Sequence, residues 1–204
     1  MARKMVPGKV HGGALGRWFE ELCRIDFEML REVVTKGEQM LTRGALPDEG
    51  GVYAFWWMGS ISKLRSKECN RKLKLKGPGG SFVTLEIDNE WLGLQTKLPI
   101  PLYVGKSAAN LSKRVGQHLR LKDERMFRRG GGARKKKAPT TSCQLRAGIE
   151  HMFKSEKDTR SLILDNIGFS FVLLDGVGNA ANRFYLEDLA IGLMHPPLNV
   201  DVER

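Results

Sequence analysis

Hydrophobic residues recur along this chain at two different spacings, and the spacing changes from segment to segment. Leu15, Trp18, Phe19 and Leu22, and then Phe27, Leu30 and Val34, fall three or four residues apart, which predicts one or two helices across residues 14 to 42. Pro47-Asp48-Glu49-Gly50-Gly51 reads as a turn. Val52-Tyr53-Ala54-Phe55-Trp56-Trp57 follows as a short aromatic core strand bounded by Gly59, with Tyr53, Phe55 and Trp57 on one face. A basic stretch from residue 60 ends in Gly77-Pro78-Gly79-Gly80, and residues Ser81 to Ile87 then alternate apolar and polar like a half-exposed strand. This region reads as an insertion with its own hairpin. Pro99 and Pro101 introduce a short strand, Leu102-Tyr103-Val104, closed by Gly105. A helix around Gln144 to Lys154, a strand over Phe169 to Leu174, and a helix from about Arg183 to Met194, stopped by Pro196 and Pro197, complete a mixed α/β pattern.

Two helical segments break their own pattern. Asn110 is placed to cap a helix on which Leu111, Arg114, Val115 and His118 share one face, so an arginine and a histidine sit on the stripe that should be buried. On the last helix Leu186, Leu189, Ala190 and Leu193 form the apolar stripe, and Glu187 lies beside it with Ile191 and Met194. Residues that break a local rule are candidates for function.

Charge sharpens the picture. The 204 residues carry a net charge of +11 and are long enough to bury one substantial core. Residues 61 to 76 hold seven Lys or Arg against Glu68, and residues 111 to 137 hold eleven against Asp123 and Glu124, so the remainder is mildly acidic. Concentrated positive charge suits a polyanion, because each neutralised phosphate releases condensed counterions. Lys63, Arg65, Lys67, Arg71 and Lys72 in the first run, and Arg120, Lys122, Arg125, Arg128, Arg129, Arg134, Lys135, Lys136 and Lys137 in the second, are the candidate contacts. Gly130 to Lys137 lacks periodicity and is expected to be a mobile loop that orders on its ligand. No apolar run approaches the roughly 20 residues that span a bilayer, and no secretory signal is seen, so a cytoplasmic protein without a membrane partner is expected. Cys23, Cys69 and Cys143 have neither disulfide nor zinc-site spacing.

Taken in order, Gly51-Val52-Tyr53, Tyr103-Val104-Gly105, Asn110-Leu111 with Arg114 and His118, Glu187 on a late helix, and Pro197-Leu198-Asn199 resemble the motifs of the GIY-YIG nucleases, and within them most the type II restriction endonucleases. Val stands where the family usually has Ile in both tripeptides. The interval from Tyr53 to Tyr103 is 50 residues, far longer than in the compact family core. The resemblance implies a small central antiparallel sheet flanked by helices. It gives a helical extension over residues 1–47 and a nuclease domain over 48–204, with insertions at about 59–99 and 120–142.

It also implies Mg²⁺-dependent hydrolysis of double-stranded DNA, with Mn²⁺ able to substitute, by a homodimer or higher oligomer. Glu187 would anchor the ion, as suits a cation that keeps several waters. Arg114 would clamp the scissile phosphate through its planar fork. Tyr53 and Tyr103 would line the nucleophile side, with Lys106 and His118 as the cations that help a phenol act near neutral pH. Asn199 would hold the geometry by hydrogen bonding. The general base stays open among Tyr53, Tyr103, Lys106 and His118. Two other readings are a mobile-element or repair nuclease and a nucleic-acid-binding module without catalysis.

Overall fold

The computed structural model describes residues 13–24, 28–34, 46–76, 81–119 and 144–200. In chain order the elements are α1 (Ala14–Leu22), β1 (Glu28–Met29), α2 (Leu30–Val33), β2 (Gly51–Trp57), α3 (Ile61–Arg65), β3 (Lys72–Lys76), β4 (Phe82–Glu86), α4 (Asn89–Leu94), β5 (Ile100–Ser107), α5 (Leu111–Leu119), α6 (Gln144–Met152), α7 (Thr159–Asn166), β6 (Ile167–Leu173), a 3₁₀ turn (Val177–Asn179) and α8 (Ala180–Met194). Mixed helices around a small antiparallel sheet agree with the expected class.

The central sheet runs β1-β6-β2-β5, every pair antiparallel. Because β2 is paired on both sides, all seven of its residues are buried, and its alternation sorts side chains into two cores. Tyr53, Phe55 and Trp57 face one side with Leu111, Val115 and Leu119 of α5, Leu145 and Ile149 of α6, and Leu162 and Ile163 of α7. Val52, Ala54 and Trp56 face the other with Leu15 and Leu22 of α1 and Leu186 and Ala190 of α8. The Trp57 ring stacks on Phe153, with centroids 5.5 Å apart. On the opposite face Trp56 Nε1 donates to Ser170 Oγ at 2.9 Å and Ser170 donates onward to the Leu22 carbonyl, satisfying the buried end of α1.

The insertion forms the expected hairpin, β3 with β4, and β3 buries Leu73 and Leu75. Side-chain oxygens cap its short helices: Ser60 accepts from the Ser62 amide and Asp88 from the Trp91 amide. The N-terminal segment departs from expectation. Helix α1 ends at Leu22, Glu28–Met29 pairs with Gly168 and Phe169, and only Leu30–Val33 returns to helix. Leu30, Val33, Val34 and Leu46 join the core around Tyr53, so the described part of residues 1–47 is built into the domain instead of extending from it. Helix α7 was not anticipated. Its Leu162, Ile163 and Leu164 are consecutive and buried, a run whose periodicity does not separate helix from strand. Among the described residues no helix is long and apolar enough to cross a membrane.

Candidate active site

Helix α5 is fixed at its start by local chemistry. Asn110 Oδ1 accepts from the Lys113 amide and its Nδ2 donates to Asp48 at 3.0 Å, while the Leu111 and Ser112 amides reach the carbonyls of Glu49 and Pro47. The predicted cap is therefore also the tie between α5 and the turn before β2. This aims the misfit residues at the sheet: His118 is completely buried, and Arg114 partly so.

There they meet Tyr53. The Tyr53 hydroxyl lies 2.7 Å from His118 Nε2 and accepts a hydrogen bond from Arg114 Nε at 3.3 Å. Since Arg114 can only donate, the simplest complete pattern has the phenol donating to His118. Tyr103 and Phe55 close the cluster, with ring centroids 4.7 and 5.4 Å from the imidazole. Gly105 lies opposite Tyr53 across the β2–β5 pair, and a Cβ there would come within 2.6 Å of the Tyr53 hydroxyl. The glycine leaves the space that this hydroxyl fills.

Tyr103 reaches this face through a bulge. Phe55 pairs with Tyr103 but Trp56 pairs with Pro101, leaving Leu102 as the extra residue. Without it, strict alternation from Ile100 would put Tyr103 on the other side of the sheet. Pro101 is tolerated because β5 is an edge strand.

Lys106 pairs with Val52 and so belongs to the opposite face, where α8 packs. Its ammonium contacts Glu187 Oε2 and stands 5.0 Å from the centre of the Phe184 ring. Glu187 sits in the middle of α8, seven residues beyond Ala180, so favourable contact with the helix N-terminus does not explain it. Its charge adds only a small effect on Tyr53 and Arg114, behind those of burial and the nearer side chains. Phe184 was missed in sequence. It lies three residues before Glu187 and thus on the same helix face, a signal that was readable.

Asn199 holds this edge. Its Oδ1 accepts from the Val104 amide at 2.8 Å and its Nδ2 donates to the Val104 carbonyl at 2.7 Å, while the Leu198 amide donates to the Leu102 carbonyl at 3.0 Å. The expected geometric role of Asn199 is thus supplied through the backbone between Tyr103 and Gly105.

Burial dominates the proton chemistry. It pushes the Tyr53 phenol well above its ordinary value, with Tyr103 adding to the rise and Arg114 opposing it. Burial likewise drives His118 well below 6.5, helped by the Arg114 cation. For Arg114 burial works against the charge, but the phenols of Tyr53 and Tyr103 and the Glu187 carboxylate outweigh it, so the guanidinium stays charged. A neutral imidazole has a consequence for stability. The unfolded chain takes up this proton near pH 6.5, while the fold refuses it until well below, so stability falls as pH drops through that window. Thermal unfolding should show a falling Tm below about pH 6.5; a His118→Gln variant with an equally steep fall would refute this.

The basic residues divide. Arg65 donates to the Leu92 and Gln95 carbonyls at 3.1 Å, closing the end of α4. Arg71 bonds Asn89, Lys72 stands 3.9 Å from Glu86, and Lys63 stands 3.8 Å from Glu156 and over the Phe153 ring. Lys67 is exposed. Much of the first run therefore braces the insertion. Arg120, Lys122, Arg125, Arg128, Arg129, Arg134, Lys135, Lys136 and Lys137 lie outside the described residues. Of the cysteines, Cys23 and Cys69 are free thiols, and burial pushes Cys23 up to about 11, far from thiolate reactivity. Cys143 lies outside the described residues.

Among the described residues no group of three or more His, Cys, Asp or Glu side chains forms a ready-made metal cage. A divalent ion would rest on Glu187 alone, which fits magnesium, a cation often held by one or two carboxylates, waters and substrate phosphate. Lys106 contacts the same carboxylate. No protein-family model matches the chain, and no curated protein or solved structure matches it at a significant level.

Proposed function

We propose that the chain is a Mg²⁺-dependent endonuclease that hydrolyses DNA phosphodiester bonds, most similar in its motifs to GIY-YIG type II restriction enzymes that cut a short duplex site. One observation carries the reading. Residues spread from Tyr53 to Asn199 gather about the β2–β5 pair, with the Tyr53 hydroxyl between Arg114 and His118 on one face and Glu187 against Lys106 on the other. On this reading Arg114 binds the scissile phosphate through the Nη end of its fork, while Nε stays on Tyr53. Tyr53 and His118, both fully buried, act as positioning residues: the imidazole orients the phenol and the phenol orients the guanidinium. Asn199 fixes the strand that carries Tyr103, Gly105 and Lys106. Magnesium on Glu187, with manganese able to replace it, would supply positive charge beside the phosphate and the departing 3′ oxygen.

The same burial favours a second reading, a nucleic-acid-binding module without hydrolysis, since neither Tyr53 nor His118 presents any surface to solvent in this conformation. Incubating the purified chain with supercoiled plasmid in Mg²⁺ separates the two. Discrete linear fragments that vanish on chelation support the nuclease, whereas salt-sensitive binding without any cut supports the module and refutes hydrolysis. Cutting confined to branched substrates would point instead to a repair enzyme.

A further inference from the structure

Lys106 stands between two partners of different kinds. Its ammonium contacts Glu187 Oε2, and the face of the Phe184 ring lies 5.0 Å away. The lysine side chain is 30% exposed and the glutamate 11%, so a polyanion can reach the cation while the carboxylate stays largely sheltered. A sheltered carboxylate that loses a counter-charge is costly and attracts another cation. The Phe184 ring, 38% exposed, offers the departing ammonium a favourable surface.

We propose that Lys106 is an exchangeable counter-ion: it occupies the Glu187 carboxylate in the free protein and passes to a DNA phosphate on binding, so that Glu187 takes a divalent cation tightly only with DNA in place. This deepens the nuclease reading and rests on it. Lys106 and the divalent ion compete for one carboxylate, so the ion's apparent affinity in the free protein is reduced by the fraction of molecules in which the lysine has left. A phosphate that holds Lys106 raises that fraction. Linkage then requires the divalent ion to tighten DNA binding by the same factor. Ion loading and DNA engagement become one event, and the unliganded protein is kept from carrying an armed ion to the wrong phosphate.

The test is Mn²⁺ binding to the full chain, measured by electron paramagnetic resonance with and without a short duplex of phosphorothioate DNA. Wild-type protein should bind Mn²⁺ weakly alone and about tenfold more tightly with the duplex, as expected if the open state is populated to about a tenth. Lys106→Met should bind tightly without DNA and gain nothing from it, and Glu187→Gln should lose the site in both conditions. Equal Mn²⁺ affinity of wild type and Lys106→Met without DNA would overturn the exchange. If Lys106→Met does not fold, Lys106→Gln takes its place. The wild type is tested independently, since Mn²⁺ must raise duplex affinity by the same factor and a flat result also overturns the exchange. Plasmid cleavage by wild type in Mg²⁺ separates the two proposals. Cutting with flat Mn²⁺ isotherms removes only the exchange, whereas the expected isotherms without any cutting remove only the nuclease.

Discussion

Glu187→Gln is expected to reduce single-turnover plasmid cleavage by roughly 10³-fold, the scale seen when one well-placed electrostatic contributor is removed. The substitution keeps the shape of the side chain and deletes its charge. That charge stands directly against Lys106 and is the carboxylate that would hold the ion. Folding should survive. Lys106 is left without its carboxylate but is already 30% exposed and can turn to solvent, and the substitution also removes a largely buried charge whose desolvation opposed folding. An unchanged Tm with lost cleavage is the expected signature; a variant that cuts within a factor of about ten of wild type would exclude Glu187 from the chemistry. Arg114→Lys in the same assay sharpens the result, because lysine keeps the charge but loses both the planar fork and the Nε bond to Tyr53.

Gly105→Ala is expected to cost about 1–3 kcal/mol of stability by overpacking and to lower cleavage along with it. The new methyl carbon would stand 2.6 Å from the Tyr53 hydroxyl oxygen, 2.7 Å from the Tyr53 Cζ and 2.8 Å from the Tyr103 Cε1. Tyr53 is wholly buried and cannot swing away without leaving His118 and Arg114. Denaturant melts of Gly105→Ala, Tyr53→Phe and the double variant test this directly. Removing the hydroxyl removes the nearest clash, so the double variant should recover part of the loss, a coupling that independent sites would not show. Gly93→Ala serves as the control, since nothing lies within 4 Å of the added carbon there. A Gly105→Ala protein as stable and active as wild type would show that the packing around the tyrosines is not limiting.

Local chemistry made much of this molecule legible. The aromatic run of β2 announced a core strand, Asn110 announced the start of α5, and the clash of Arg114 and His118 with an apolar stripe marked the two residues that meet at the Tyr53 hydroxyl. What could not be read depends on pairing between distant segments. The extra residue at Leu102 decides which face Tyr103 joins, and its only trace in sequence is Pro101 beside it. Lys106 looked like a neighbour of Tyr103 and Gly105, yet strand alternation sends it to the opposite face and to Glu187. The two-residue strand at Glu28–Met29 was hidden because helical spacing continued through it, and its pairing with Gly168 and Phe169 is a tertiary choice. The first basic run read as one patch, but Arg65 finds carbonyls and Arg71 an amide within its own insertion, a distinction that charge counting does not make.

Asn199 has one more effect, on how copies of this chain can assemble. An outer strand with unpaired amides and carbonyls invites a neighbour to extend the sheet. Here the Val104 amide and carbonyl are both taken by the Asn199 side chain, and the Leu102 carbonyl by the Leu198 amide. A second protomer therefore meets no open ladder at Leu102 or Val104, and the strand that carries the candidate chemistry cannot be buried there in a continuous intermolecular sheet.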